Sequence, residues 1–352
     1  MNRIKKFTAI LLAMLIFLTG CQVLSDTTWA FELEGERMPA GAYILFMNQA
    51  TMQAFGILQQ QWLEWEPAFE GDLLPTHVED MTSREILNSD VQGVNFSDWV
   101  IAEAQVLARR HFAVQAKMAE LGISLDPDEI AHAAARAQNE YHDGFRQIGV
   151  AESSLAFLHE SSAAITKLFF EMYRAGGAYE ISPQEMRDYF GENYVRGHQL
   201  IIWLPADAPH DEQIKLARSL YERMRAGEAI EDLQYDLSVE LRGEGTLHPP
   251  GSLDLLARKD DPNFDPTVLT GLASISVGQS AMFEEEHAII LVRRLDVFEN
   301  PGDMDMMRDE IIFSMRHDDH FLPMLDQLGN ELPIRVNQAA IRRYGPASLL
   351  AD

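Results

Sequence analysis

The amino-acid sequence predicts an α+β protein in which a mostly helical body is interrupted by one small unit that combines helices with strands. Apolar residues recur at helical spacing from residue 40 to about residue 195, and the same spacing returns after residue 301. Short unbroken apolar runs, typical of buried strands, occur between these two stretches. We therefore expect a helical domain over 40–195, an α+β domain over 196–297, and a C-terminal helical segment over 301–352 that packs on the helical domain.

The first 20 residues have the pattern of a secretory signal peptide. Basic residues at positions 3, 5 and 6 precede an uncharged, mostly apolar run over 7–20. This run is 14 residues long, whereas a helix that crosses a bilayer needs about 20 apolar residues. A permanent transmembrane helix is therefore the weaker interpretation, and residues 21–39 are expected to form a polar leader once the signal is removed.

Cys21 is the single cysteine of the chain and directly follows this apolar run. The segment Leu18-Thr19-Gly20-Cys21 resembles the lipobox of bacterial lipoproteins, in which the cysteine is diacylated and becomes the mature N-terminus. The resemblance implies a protein anchored to the bacterial membrane through lipid on Cys21, outside the cytoplasm. A cleaved signal followed by an incidental cysteine is the alternative. With one cysteine the chain can form neither an intrachain disulfide nor a Cys-x-x-Cys redox pair.

Composition and charge exclude several classes of protein. Hydrophobic residues make up 47% and charged residues 24% of the 352 positions, which is too apolar for a disordered chain and too polar for a polytopic membrane protein. Asp and Glu number 55 against 28 Lys and Arg, so the net charge is −27. Such an acidic surface repels phosphate backbones, and we predict no nucleic-acid partner.

Local signals mark where helices of the first domain begin. Ser97 is expected to cap a helix that ends at Gly122. Asp126 and Glu129 have the spacing of a capping box, and the same pattern returns at 182–185. In both capping boxes a proline occupies the first helical position, where its missing N–H is not needed. These signals predict helices that start near residues 97, 127 and 183.

Two short apolar runs indicate buried strands in the second domain, at 199–204 and 288–292. Between them, Asp211 and Gly227 bound an amphipathic helix. Residues 241–265 are rich in Gly, Pro and Asp, and are predicted to be mostly loop. The domain therefore contains strands at both ends and helix and loop between them.

From about Leu168 to Val297 the sequence resembles the extracytoplasmic parvulin-type peptidyl-prolyl isomerases, foldases of the PrsA and SurA kind. The matching segments follow the family's order: 181–198, 226–238, 250–254, 263–264, 277–279 and 288–290. The resemblance implies that residues 196–297 form a parvulin-like (PpiC-type) domain. It also implies that the surrounding helical body is chaperone-like.

The resemblance identifies four candidate residues for the isomerase pocket: His198, Glu240, Phe264 and His287. His198 and Phe264 match the family's histidine on the first strand and its phenylalanine on the loop side. Glu240 occupies the position of a Cys or Asp. The family's second histidine falls on Ala288, or on His287 if the preceding hairpin is shifted by one residue.

In a working pocket, Phe264 would contact the proline ring and His198 would be the polar group. Ordinary core packing is the alternative role for Phe264, a buried structural histidine for His198, and a solvated carboxylate for Glu240. Asp260 stands near the family's methionine position, and a carboxylate beside an apolar ring resists desolvation. We therefore expect isomerase activity to be weak or absent.

The implied function is that of a membrane-anchored foldase that acts on unfolded or partly folded secreted polypeptides. Rotation about a peptide bond crosses a barrier of about 18–20 kcal/mol, and easing it requires no covalent intermediate, so no cofactor is expected. The alternative is a chaperone, holdase or assembly scaffold of the same fold whose pocket has degenerated. A remote alternative is a solute-binding lipoprotein, which would need the repeated strand–helix alternation that residues 40–195 lack.

His317 and His320 are three positions apart on a predicted helix, a spacing that could hold a metal ion. A solvated polar face explains this pair equally well. No calcium-loop, P-loop or nucleophile motif occurs in the sequence. We therefore predict no metal site.

Overall fold

The computed structural model describes residues 28–65, 81–204, 211–241 and 254–350. Of these, residues 28–172 and 318–350 form a helical unit, and residues 173–317 form a second compact unit, here called the inserted unit. The predicted signal peptide and Cys21 lie outside the described residues. None of the described helices combines the length and the apolar character that a membrane span requires. The predicted class, a mostly helical α+β fold, is confirmed.

The first part of the helical unit contains four short strands and six helices. They are β1 (Trp29–Leu33), β2 (Glu36–Pro39), α1 (Ala40–Trp65), α2 (Ser83–Asn88), β3 (Asp90–Val91), β4 (Val94–Asn95), α3 (Phe96–Leu121), α4 (Pro127–Glu140), α5 (Asp143–Gln147) and α6 (Glu152–Tyr173). Residues 29–39, which we expected in a polar leader, instead form the antiparallel hairpin β1–β2. Phe31 and Met38 of this hairpin are fully buried, and they pack in the core that α1 and α3 share.

The predicted helix boundaries are largely confirmed. The carboxylate of Glu129 accepts a hydrogen bond from the Asp126 backbone N–H at 2.7 Å, which is half of the predicted capping box on α4. Gly122 ends α3 in the left-handed conformation (φ 67°), which costs glycine little. The predicted cap Ser97 is wrong by two residues: Asn95 caps α3 by accepting a hydrogen bond from the Ser97 N–H at 3.0 Å.

The inserted unit is built around one four-stranded sheet. Its elements are α7 (Pro183–Asn193), β5 (Tyr194–Trp203), α8 (Asp211–Arg225), α9 (Ile230–Leu241), β6 (Asp254–Arg258), α10 (Pro266–Ser274), β7 (Ser280–Glu284), β8 (Ala288–Leu295), α11 (Asp303–Met306) and α12 (Arg308–Arg316). The strands are antiparallel in the order β6-β5-β8-β7. One apolar cluster joins the sheet to α8 and α9, and a second joins its other face to α10.

Strand β6 lies inside the segment predicted to be mostly loop. Leu255 and Ala257 alternate with more exposed residues along β6 and are buried, and they place the strand against β5. Five residues bounded by Gly, Pro and Asp give too short a pattern to separate a strand from a loop in the sequence.

Residues 303–316 make several contacts within the inserted unit. The Tyr194 hydroxyl donates to the Glu310 carboxylate at 2.8 Å, and the Arg258 guanidinium donates to the Ser314 hydroxyl at 2.8 Å. Helix α12 also packs on α7. The inserted unit therefore extends along the chain beyond both ends of the predicted domain 196–297, because it also includes α7 before the first strand and α11 and α12 after the last.

The chain then completes the helical unit. A π-helical turn (His317–Phe321) leads to α13 (Leu322–Glu331), β9 (Arg335–Val336), α14 (Gln338–Arg343) and a 3₁₀ turn (Pro346–Ser348). Strand β9 pairs with β1, so residues from both ends of the described chain share one sheet. Helix α13 packs closely on α3: a Cβ on Gly329 would lie 3.0 Å from the Arg109 carbonyl oxygen. Arg110 also donates to both carboxylate oxygens of Asp326, at 2.8 and 2.9 Å.

Candidate functional site

His198 lies on the face of the sheet that α8 and α9 cover. Side chains alternate between the two faces of a strand, so His198 shares its face with Leu200 and Ile202. Leu200 and Ile202 belong to the apolar cluster that includes Leu220 of α8 and Leu233 of α9. The sheet register thus fixes the side on which the imidazole is found.

A row of four polar residues crosses the sheet at His198. Asp254 on β6 is directly opposite His198 on β5, Arg293 on β8 is opposite His198 on the other side, and Ser280 on β7 is opposite Arg293. Directly opposed residues of antiparallel strands have Cβ atoms about 4.5–5.5 Å apart. We call these four residues the polar row.

Burial and charge determine the state of the His198 imidazole. The side chain is half-buried, and its Nδ1 atom is buried without a hydrogen-bond partner in the part of the chain that the structure describes. Burial lowers the pKa of His198 below its usual value, because the charged imidazolium loses hydration, while the carboxylates of Asp254 and Glu231 oppose this shift. The imidazole is therefore neutral at neutral pH and free to act as a hydrogen-bonding group.

Arg196 holds the carboxylate at one end of the polar row. Its side chain is buried, with a relative exposure of 9%, and it donates to the Asp254 carboxylate at 2.7 Å. It also donates to the buried carboxylate of Asp303 on α11. Asp254 is therefore held beside His198 by the hydrogen bond from Arg196.

Phe264 lies on the opposite face of the sheet from His198. It precedes α10 and packs against the cluster that contains Val195, Leu255 and Leu269. Val195 is three positions from His198 on β5, and Leu255 follows Asp254, the residue opposite His198 on β6. Because successive side chains of a strand point to opposite faces, Val195 and Leu255 both point to the face away from His198. The structure therefore does not bring Phe264 and His198 into one pocket, and the contacts of Phe264 are those of core packing.

His287 is also remote from His198. It lies in the turn between β7 and β8, its side chain is 69% exposed, and its Nε2 atom is 3.8 Å from the Glu286 carboxylate. The first residue of β8 pairs with Trp203, five positions along β5 from His198, which corresponds to about 17 Å. Glu240 belongs to α9.

Sequence reasoning identified His198 but missed its neighbours in the polar row and Arg196. A signal was present, since Arg196 and His198 are two positions apart at the start of an apolar strand. The pairing of His198 with Arg293 and Asp254 depends on strand register, which the sequence does not state. Among the described residues, no group of three or more His, Cys, Asp or Glu side chains is placed to hold a metal ion, at His317 and His320 or elsewhere.

The helical unit contains an open groove of about 710 Å³ between α4 and α6. Its apolar lining includes Ala133, Ala163 and Phe170. The Lys167 ammonium on its rim is bound by the carboxylates of Asp126 and Glu129, at 2.8 and 2.7 Å. The groove therefore combines apolar residues with polar and charged ones such as His132, Arg136 and His159, and the charge of its lysine is paired.

No family model and no curated protein matches the chain. Solved structures do match. The foldase PrsA of Streptococcus pneumoniae is 12% identical over 74% of this chain and 98% of its own, with a TM-score of 0.36. The foldase PrsA of Lactococcus lactis is 9% identical over 92% of this chain and 100% of its own, with a TM-score of 0.37. PrsA of Bacillus subtilis is 14% identical over 70% of this chain and 91% of its own, with a TM-score of 0.27. These structures are of the kind of protein that the sequence resembles.

Proposed function

We propose that the chain is an extracytoplasmic foldase that binds unfolded secreted polypeptides and whose prolyl isomerase activity is weak or absent. The proposal is supported by the sequence resemblance over residues 168–297. It is also supported by the chain order, in which a unit built on a four-stranded antiparallel sheet separates the two parts of the helical unit. Such a protein would act without a cofactor on chains that have crossed the membrane.

One observation carries the expectation of weak isomerase activity: His198 and Phe264 lie on opposite faces of the sheet. Isomerisation needs an apolar cup for the proline ring next to polar groups that act on the imide carbonyl. When the ring-binding residue and the polar residue are separated by a sheet, one bound proline cannot contact both. The groove between α4 and α6, which is partly apolar, offers the helical unit a surface for unfolded chains that does not depend on this pocket.

The polar row favours a second candidate, an isomerase that works on the α8/α9 face without Phe264. Polar groups of His198, Arg293 and Ser280 lie side by side on this face. Apolar residues of the same cluster, including Met282, lie in the next row. In this case a variant at His198 would lose activity and a variant at Phe264 would keep it.

The remote alternative, a solute-binding lipoprotein, has little structural support. Its two lobes would need alternating strands and helices. In the residues that the structure describes, the one sheet of more than three strands is that of the inserted unit.

Two assays on the purified protein test these candidates. One follows refolding of a substrate limited by X-Pro isomerisation, which takes about 10–100 s without a catalyst, and the other follows aggregation of an unfolded polypeptide. We expect aggregation to be suppressed and refolding not to be accelerated. Phe283→Ala is the matched control for Phe264→Ala, because both phenylalanines are half-buried in the same cluster.

Three outcomes separate the possibilities. Acceleration that Phe264→Ala abolishes and Phe283→Ala retains would overturn the expectation of weak activity. Acceleration that His198→Ala abolishes and Phe264→Ala retains would establish the second candidate. A protein that neither suppresses aggregation nor accelerates refolding would overturn the foldase proposal itself.

A further inference from the structure

We infer that the polar row binds a backbone carbonyl of an extended, uncharged peptide segment, with Arg293 and Ser280 as the donors beside His198. The inference rests on the proposed function, since it names the substrate class and the part of the sheet that would bind it. Neither Arg293 nor Ser280 was identified by the sequence resemblance.

The first argument is that three groups of the row are buried without partners. The Nε atom of Arg293, the Oγ atom of Ser280 and the Nδ1 atom of His198 have no hydrogen-bond partner among the described side chains and backbone. Buried polar groups in native proteins are nearly always paired, and each exception requires an explanation. Three such groups at directly opposed positions of neighbouring strands point to one shared ligand.

The second argument is that the remaining member of the row is already paired. Asp254 accepts a hydrogen bond from Arg196, whose guanidinium also binds Asp303. The carboxylate that lies beside His198 therefore does not need Arg293. This leaves Arg293 as a half-buried guanidinium whose Nε atom has no hydrogen-bond partner among the described residues.

The third argument concerns the chemistry of the ligand. A guanidinium N–H and a hydroxyl both donate hydrogen bonds, so the ligand atom is an acceptor oxygen. The carboxylates of Glu231, Asp254 and Glu299 all act on the His198 pKa in the same direction and therefore lie near the row. They would repel a carboxylate or phosphate ligand. A neutral peptide carbonyl satisfies the donors without this repulsion.

The fourth argument concerns what lies next to the row. The adjacent cross-strand row on the same face is apolar and consists of Leu200, Leu291 and Met282. Leu200 and Leu291 are buried beneath α8 and α9, whereas Met282 is partly exposed, so a peptide that presents a carbonyl to the polar row would bring its neighbouring side chain towards Met282. Small and apolar side chains therefore fit better than charged ones.

The test uses the purified full chain and the uncharged tetrapeptide N-acetyl-Ala-Ala-Pro-Ala-amide, with the same peptide ending in a free carboxylate as the charged comparison. Binding is followed by NMR through the signals of the peptide, which can be observed with every variant, and also through the Nε–Hε signal of Arg293 in the chains that keep this residue. We expect the uncharged peptide to shift this signal. Arg293→Lys keeps the positive charge but loses the Nε donor and the guanidinium plane, and it should weaken binding about five- to tenfold, as should Ser280→Ala.

Arg218→Lys is the matched control, because Arg218 is exposed on α8 of the same unit and should bind the peptide as the unchanged chain does. Thermal unfolding of each variant shows whether it is folded. If Arg293→Lys does not fold, the affinity of Ser280→Ala tests the inference. Any of three results would overturn the inference: folded variants that bind the peptide as tightly as the unchanged chain, an unchanged chain that does not bind it, or tighter binding of the charged peptide. Suppression of aggregation that persists in such a case would show that the proposed function stands without this site.

Discussion

Arg196 donates a hydrogen bond to the Asp254 carboxylate at 2.7 Å, and this contact connects β5 to β6 directly beside His198. The same guanidinium binds Asp303, whose side chain is only 5% exposed. One arginine therefore joins two strands and helix α11. Because Asp303 has been removed from water, its charge is tolerated only while Arg196 compensates it.

We predict that Arg196→Met destabilises the inserted unit by about 3 kcal/mol, because it leaves the Asp303 carboxylate buried and unpaired. Urea unfolding followed by circular dichroism measures the change. Arg225→Met is the control, because Arg225 forms an exposed pair with Glu222 at 3.2 Å and should change stability by no more than about 0.5 kcal/mol. Adding Asp303→Asn to Arg196→Met should recover part of the loss. A loss as small as that of the control would show that the buried pair is not stabilising.

A second prediction concerns His111, which is buried in the helical unit. Its Nδ1 atom lies 2.9 Å from the Ser161 hydroxyl, and its ring packs on Phe157 at 4.5 Å between centroids. Burial lowers the pKa of His111 to about 4. The unfolded chain takes up the proton near pH 6.5, so between pH 6.5 and 4 the unfolded state binds more protons and stability falls as the pH falls.

The expected loss from this one histidine is about 2 kcal/mol between pH 7.5 and pH 5. It is measured as the difference between the unchanged chain and His111→Gln in urea unfolding at the two pH values, which removes the contribution of the carboxylates common to both. His132→Gln is the control, because His132 is exposed. Equal pH dependence in the unchanged chain and His111→Gln would contradict the prediction.

Features set by neighbouring residues could be predicted from the sequence, and features set by strand pairing could not. The Ser182–Glu185 capping box is a local pattern, and both of its hydrogen bonds are formed, at 3.2 and 3.0 Å. The opposition of His198 and Arg293 joins positions 95 apart in the numbering. A shift of the register by one residue would move one strand's side chains to the other face. The family resemblance, which does not fix how the faces of this sheet are occupied, implied that Phe264 and His198 share one pocket.

A third prediction concerns the lipid anchor, which follows from the lipobox resemblance at Leu18–Cys21. Cys21→Ser should leave the precursor unprocessed or release the protein from the membrane, because serine has no thiol to accept the diacylglyceryl group. Fractionation of membranes and mass spectrometry of the mature N-terminus measure the result. Thr19→Ser is the control, since it keeps the small residue and the cysteine. An unmodified Cys21 with cleavage elsewhere would show that the anchor is absent.

The last prediction concerns Gly197, which lies next to His198 on β5. A Cβ at this position would lie 2.4 Å from a methyl carbon of Leu272 and 2.7 Å from the Arg293 carbonyl oxygen. The leucine side chain can move, but the carbonyl belongs to the neighbouring strand and cannot move without distorting the sheet. Gly197→Ala should therefore destabilise the inserted unit by about 1–3 kcal/mol, as overpacking of a core does.

Gly56→Ala is the matched control for this substitution. Gly56 lies within α1, and a Cβ there would have no heavy atom within 4 Å. Alanine favours a helix over glycine by about 0.5–1 kcal/mol, so the control should be stabilising while Gly197→Ala is destabilising. Thermal unfolding of the two variants measures both signs.

The strain at Gly197 should also shift the Nε–Hε signal of Arg293 in the absence of peptide, because a Cβ at position 197 would crowd the Arg293 carbonyl and the Arg293 side chain belongs to the polar row. A Gly197→Ala variant as stable as the unchanged chain, with an unmoved Arg293 signal, would show that β5 and β8 are not packed as closely as described.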